Sequence, residues 1–461
     1  MAIGLRTTLR GNTFTFKDMR ELFGKANEEK SGDHLIGVGA ETSTERVAAK
    51  MVLADLRLSD IRENPLIPPD EDEVSRVIEA DVNESVYTRI KSWTVGELRD
   101  ALLRDETSPS DIATWRRGLT AEMVAAVTKL MSSADLVYGA SRMRVTATCR
   151  YEIGKPGTLS SRLQPNHPKD DPDGIRASVY EGLSYAVGDC VFGVNPVEDT
   201  VANCTRILNT LYEVMATLKV PAHICCLAHI TTQMAAVDKG APESMFFQSI
   251  AGTEGANTDF GVTCALLEEA RELIGKKGLC GGPNLMYFET GQGSEVSIGR
   301  DCGVDEMTLE ARTYGFAKHF APFMVNNVSG FIGPETIYDG KQMIRANLED
   351  HFMGKLSGLP MGMAPCYTNH TGIDQNDQEI ATMLVTIAGA NYFMGVPLGD
   401  DVMLGYQDTS FHDDATLRAL MGLTPAAEFF EWAQEWGILD SRGRLTPRAG
   451  DASIFAKMGL K

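Results

Sequence analysis

Leu285-Met286-Tyr287-Phe288-Glu289-Thr290-Gly291-Gln292-Gly293 is an apolar run that ends on a carboxylate and then turns on glycines. A strand buried on both faces reads this way, because neither face presents polar side chains until the strand ends. Working outward, the pattern recurs at Thr158–Gln164, Cys190–Asn195, His223–His229, Met245–Ser249, Phe323–Asn326, Gly362–Tyr367 and Ala390–Gly395. Helix-compatible stretches lie between the strands at Val197–Leu218, Thr258–Lys277, Val304–His319, Pro334–Phe352 and Asp374–Gly389. The alternation predicts an α/β fold, a (β/α)8 TIM barrel. A barrel builds its site where strands end, so Arg162, Gln164, Asn195, Ser249, Glu289, Asn326 and Cys366 become candidates for one pocket.

At 461 residues the chain exceeds one barrel by well over a hundred residues. The excess falls at the front, giving a mostly helical N-terminal region over 1–110, a catalytic barrel over 111–440 and a C-terminal tail over 441–461. Helices are expected at Thr42–Leu58, Glu73–Asp81, Leu119–Met131 and Thr94–Leu103, the last opened by the capping-box pair Thr94 and Glu97. A further strand is expected near Ala134–Tyr138.

The formal net charge of −20, from 43 Lys+Arg against 63 Asp+Glu, argues against nucleic acid and anionic membranes as partners. No apolar stretch is long enough for a membrane span, and the N-terminus lacks a secretory signal, so a cytoplasmic location is expected. The nine Cys are odd in number, several fall in buried strands, and no CxxC pair exists, which fits reduced thiols. Cys225 and Cys226 should point to opposite faces of their strand. His223, His229 and His370 form no HxH or HExxH pattern, so no metal site is expected. Gly291-Gln292-Gly293-Ser294 lacks the full phosphate-loop pattern, and no GxSxG elbow occurs.

The strongest constellation joins Arg162-Leu163-Gln164-Pro165-Asn166, Val194-Asn195-Pro196 and Tyr287 to Gly293. Strand alternation puts Arg162 and Gln164 on one face. A guanidinium, two amides and a carboxylate converging at a barrel mouth would bind a small molecule carrying hydroxyl and amino groups. The same groups could equally pair with each other to close the barrel.

These stretches, with Ser43 to Lys50, Gly330 to Glu335, Leu348 to Gly358, Tyr367 to His370 and Pro397 to Asp401, resemble the large subunit of the ethanolamine ammonia-lyase family over nearly the whole chain. The resemblance implies an adenosylcobalamin-dependent radical enzyme that converts ethanolamine or a related 2-amino alcohol to an aldehyde and ammonia. It also implies a small-subunit partner, self-association into a hetero-oligomer, and a location in the cytoplasm or inside a bacterial microcompartment. Cobalamin is expected base-on, with its own benzimidazole on cobalt, so Glu349-x-His351-x-x-Gly354 is not taken as a cobalt-ligand motif. Carried over residue by residue, Arg162 and Asn195 meet the substrate hydroxyl, and Gln164 and Glu289 meet the amine. Glu289 also manages protons, so Glu289 and Arg162 are the candidate catalytic residues. Phe331 and Met394 line the pocket, and Pro196, Gln248, Ser297 and Met403 contact the cofactor.

One position departs from the family pattern. Ala364 stands where an aspartate is expected before Cys366-Tyr367-Thr368-Asn369-His370. An aspartate beside an ammonium forms a charge-assisted bond whose loss typically costs about 2–5 kcal/mol. Two alternatives arise: the same radical chemistry on a bulkier or N-substituted substrate, or a catalytically weak cobalamin-binding or scaffold homologue.

Overall fold

The structure, a computed structural model, describes residues 4–329 and 335–456. Its centre is an eight-stranded parallel sheet nearly closed into a barrel. The strands are β1 (Ser160–Leu163), β2 (Val191–Val194), β3 (Ile224–Cys226), β4 (Phe246–Ser249), β5 (Met286–Thr290), β6 (Met324–Ser329), β7 (Met361–Pro365) and β8 (Tyr392–Gly395). Each lies within or across a segment expected from the sequence. Their pairing order is β3-β2-β1-β8-β7-β6-β5-β4.

The pairing order leaves a seam between β3 and β4, and side chains bridge it. Gln233, in the helix Ile230–Asp238, accepts from the Phe247 N–H at 2.8 Å and donates to the Phe247 and Ala228 carbonyls at 2.7 and 2.6 Å. Glu243 accepts from the Cys226 N–H at 2.8 Å, and Ser244 Oγ from the Ile224 N–H at 3.0 Å.

Registers fix what faces inward. Asn326 sits beside Glu289 on one side and Gly362 on the other, and Gly362 sits beside Tyr392. A Cβ at Gly362 would lie 1.9 Å from the Tyr392 ring, so only glycine leaves room for that ring inside the barrel. Cys225 packs in the large core while Cys226 packs with the outer helices, on opposite faces of β3.

The N-terminal region is mostly helical, and its predicted starts hold where a cap fixes them. Thr94 caps the helix Val95–Leu103 through a complete capping box with Glu97, and Glu73–Asp81 forms as expected. Three differences have local causes. Residues 134–138 are helical, not extended, because the capping box of Ser132 and Asp135 starts the helix Ser133–Ser141. Arg6–Leu9 and Asn12–Thr15 form a hairpin turned at Arg10 and Gly11, both at positive φ. The stretch 258–277 is interrupted at Gly261, with φ of 74°, so its main helix is Cys264–Lys277.

Buried ion pairs join the N-terminal region to the barrel's outer helices. Lys30 Nζ meets Glu349 at 2.8 Å across this boundary, and beyond it Lys129 Nζ meets Asp305 at 2.6 Å, all four side chains fully buried. Arg312 meets Asp72 at 2.8 Å and Glu122 at 2.5 Å. Among the described residues, no helix is long and apolar enough to cross a membrane.

Candidate functional site

The carboxyl ends of β1, β2, β5 and β8 bring the predicted residues together. Arg162 is fully buried inside the barrel, where Gly193 leaves the space it needs: a Cβ there would lie 2.9 Å from Arg162 Nε. Its guanidinium donates to Gln164 Oε1, to Met394 Sδ, and to Asn195 Oδ1 at 3.3 Å, and lies 5.7 Å from the centre of the Tyr287 ring. Burial pulls its pKa down, but Tyr287 and Glu289 outweigh burial and hold it above the ordinary value.

Gln164 Nε2 donates to Asp401 Oδ2 at 2.5 Å and to Tyr406 Oη at 2.9 Å. Asn166 donates to the same Asp401 oxygen at 2.8 Å, and its own Oδ1 accepts from the Asn195 N–H at 2.8 Å. The other Asp401 oxygen accepts from the Met403 and Leu404 N–H groups at 3.0 and 2.6 Å. Asp401 is therefore an internal strut, with both oxygens used twice.

Glu289, partly exposed at the mouth, accepts from Asn326 Nδ2 at 3.3 Å. Burial raises its pKa, against the attraction of Arg162 and the bond from Asn326. Arg162 Nε and Asn326 Oδ1 are buried there without a hydrogen-bond partner. Buried polar atoms are normally paired, so these open positions mark where a polar ligand would sit.

The residues expected at the cofactor lie around the rim. Pro196 and Met403 are half-buried and follow β2 and β8, and Ser297 is exposed beyond β5. Gln248 in β4 is buried, its Oε1 accepting from the Ile230 N–H at 3.0 Å. Phe331 lies outside the described residues.

Asn166, Asp401 and Tyr406 are the contributors the sequence reading did not assign. Asn166 and Asp401 lay inside quoted motifs, but their joint role depends on a contact spanning 235 residues. In the loop Gly291 to Ser294, Gln292 Nε2 donates to Asp350 at 2.7 Å. His351 is fully buried in the helix Gly340–Ser357. His223 is a structural histidine: Nδ1 bonds the Cys190 carbonyl at 2.6 Å, and Nε2 accepts from the Arg150 and Tyr151 N–H groups at 3.1 and 3.3 Å. Its ligand atom lies within 4.8 Å of those of Cys149 and Cys280, but both ring nitrogens are already engaged.

Comparison with known proteins decides the family. The model of the ethanolamine ammonia-lyase large subunit matches residues 14–448. The chain belongs to this family. It is 54% identical over 451 residues to the ethanolamine ammonia-lyase large subunits of Escherichia coli K12 and Salmonella typhimurium LT2, covering 98% of this chain and 99% of each relative. As a member of the ethanolamine ammonia-lyase large-subunit family the chain is a lyase.

Proposed function

We propose that this chain is the catalytic subunit of an adenosylcobalamin-dependent ammonia-lyase that converts ethanolamine to an aldehyde and ammonia. The observation that carries this reading is the linked set Arg162, Gln164, Asn195 and Glu289 at one barrel mouth, in a chain of this family. The open Nε of Arg162 and the Asn195 amide would hold the substrate hydroxyl. Gln164 Oε1 keeps a lone pair for the ammonium after accepting from Arg162. Glu289, its carboxyl raised by burial and standing at the mouth, would take and return a proton.

The rim fits a broad ligand. Adjacent in sequence to the proposed cofactor contacts Pro196, Ser297 and Met403 are Val197, Ile298 and Val402, all exposed, and Leu398, in the segment after β8, is 77% exposed. Exposed apolar side chains after several strand ends would suit a surface that is covered in use. Adenosylcobalamin, when bound, supplies the carbon-centred radical that removes hydrogen from the carbinol carbon. The protein's part is to hold the substrate, exclude water and move the proton.

The small subunit would cover the same rim. Exposed Leu35, Val47 and Met51 in the N-terminal region would serve contacts between large subunits in a hetero-oligomer of cytoplasm or microcompartment. The readings as a bulkier-substrate enzyme or an inert scaffold gain nothing from the family placement.

The test is co-expression with the small subunit, followed by adenosylcobalamin and ethanolamine under electron paramagnetic resonance. A substrate-dependent radical signal with ammonia release is expected. Neither signal nor ammonia from ethanolamine, in a complex that binds the cofactor, would overturn the reading.

A further inference from the structure

Besides Glu289, an ammonium in this pocket would gain from a second carboxylate with an open oxygen, and Asp401, with both oxygens bonded twice, offers none. β7 offers none either, because its inward residue at this level is Ala364, buried with Val328, Met394, Val396 and Tyr406. The strand that closes over this cluster supplies one. Tyr406–Gln407 pairs antiparallel with Asp400–Asp401, and the segment continues along the end of β8, where Val396 N–H donates to the Thr409 carbonyl at 3.0 Å. Tyr406 and Asp408 are both buried, while Gln407 between them is partly exposed.

Asp408 is 3% exposed. Its Oδ1 accepts from the Thr409 N–H at 2.7 Å and from Thr409 Oγ1 at 3.3 Å, while Oδ2 has no partner. After burial, the strongest influence on the Tyr406 hydroxyl is the charge of Asp408, and that hydroxyl accepts from Gln164. Its neighbour Thr409 bonds the Met394 carbonyl through Oγ1, and Met394 Sδ touches Arg162, so Asp408 lies close to the groups that form the amine side of the site. Leaving a buried carboxylate oxygen unpaired is costly, and such an atom next to a substrate site points to a ligand that pairs it.

We propose that Asp408 is a substrate-specificity residue, its Oδ2 receiving the ammonium of the 2-amino alcohol in the place that Ala364 leaves without a carboxylate. This rests on the function proposed above. In the free protein, burial pushes the Asp408 carboxyl up to about 8, against the bonds from Thr409 and the attraction of Arg162. Arrival of a cation stabilises its charged form, so the group is held ready for a positively charged ligand over a neutral one.

The test uses the complex with the small subunit, loaded with adenosylcobalamin. Asp408→Asn preserves the acceptor for Thr409 and changes Oδ2 alone. It should raise KM for ethanolamine by roughly tenfold or more, with a smaller change in kcat, and leave inhibition by the neutral ethane-1,2-diol within about threefold. Adding Ala364→Asp to Asp408→Asn should recover most of the lost affinity. An ethanolamine KM within about threefold of the parent, or an equal loss for the diol, overturns the proposal.

Because an unpaired buried carboxylate contributes no folding stability, Asp408→Asn should melt no lower than the parent. Failure to fold would show a structural role and also overturn the proposal. Calorimetric titration with ethanolamine separates this inference from the functional reading. Asp408-dependent binding without turnover would sink the lyase assignment and keep the amine site, whereas equal affinity in both proteins would sink the amine site alone.

Discussion

Glu289 shows how one side chain acquires a chemical task from its surroundings. It ends β5 at the barrel mouth, beside Asn326 and within the field of Arg162. Burial raises its pKa, and the guanidinium of Arg162 opposes that rise. Glu289→Gln keeps the shape and removes proton exchange, so turnover should fall by about a hundredfold or more with cobalamin affinity retained. Spectroscopic titration with the cofactor alongside ammonia-release kinetics checks both halves. Turnover within about threefold of the parent would remove Glu289 from its role.

At the same scale, the sequence made the strand-end residues visible because each closes an apolar run. Arg162, Gln164, Asn195 and Glu289 could be placed at one mouth by counting strands. Asp401 and Asp408 could not, since nothing local distinguishes their carboxylates from surface ones. Their meaning comes from Gln164, Asn166 and Tyr406, contacts that only the folded chain creates.

Among elements, the link between the N-terminal region and the barrel rests on charges removed from water. Lys30 neutralises Glu349, whose carboxyl is held at about 2 because Lys30 and Arg345 together outweigh the penalty of burial. Removing one partner of such a pair leaves the other buried and undercompensated, typically at a cost of about 3–5 kcal/mol. Lys30→Met should therefore lower unfolding stability by about 3 kcal/mol in urea titration, with Arg345 limiting the damage. A Lys30→Met, Glu349→Leu double variant should recover much of the loss. A single-variant cost below about 1 kcal/mol would mean the pair is not a staple.

Element boundaries were legible where chemistry marks them and not elsewhere. Thr94 with Glu97 announced a helix start, and the same device at Ser132 and Asp135 passed unread because the apolar run Ala134 to Tyr138 suggested a strand. Arg10-Gly11 between threonine-rich arms is a hairpin signal of ordinary strength, masked by the predominance of helix in the rest of the N-terminal region.

For the whole molecule, acids buried around β5 and β6 make stability depend on pH. Glu310 accepts from Thr290 Oγ1 at 2.8 Å, and burial pushes its carboxyl up to about 8. Asp350, which bonds Gln292 and Asn327, is raised well above the usual range by burial and by Glu310. A carboxyl raised in the folded state favours folding fully below its unfolded value of 4.5, and that contribution is lost as pH rises toward 8. The apparent Tm should thus fall by roughly 3 °C or more between pH 6 and pH 9. Glu310→Gln, a mimic of the protonated acid, should flatten the decline. An identical pH slope in both proteins, read by calorimetry, would exclude Glu310 as its source.

The seam between β3 and β4 makes the barrel a hoop fastened by a clasp. Elsewhere around the ring, backbone pairing is indifferent to which side chains the strands carry. At the clasp, the Phe247 amide hydrogen is held by the Gln233 carboxamide, with Glu243 and Ser244 fastening the β3 side, so closure there depends on particular side chains. Deuterium uptake would expose this dependence. Gln233→Leu should release the Phe247 amide to solvent while those within β5 to β8 stay protected, and unchanged uptake at Phe247 would mean the ring closes without its clasp. A position remote from the chemistry would then carry the circumference on which every strand end, and hence the spacing of the pocket, depends.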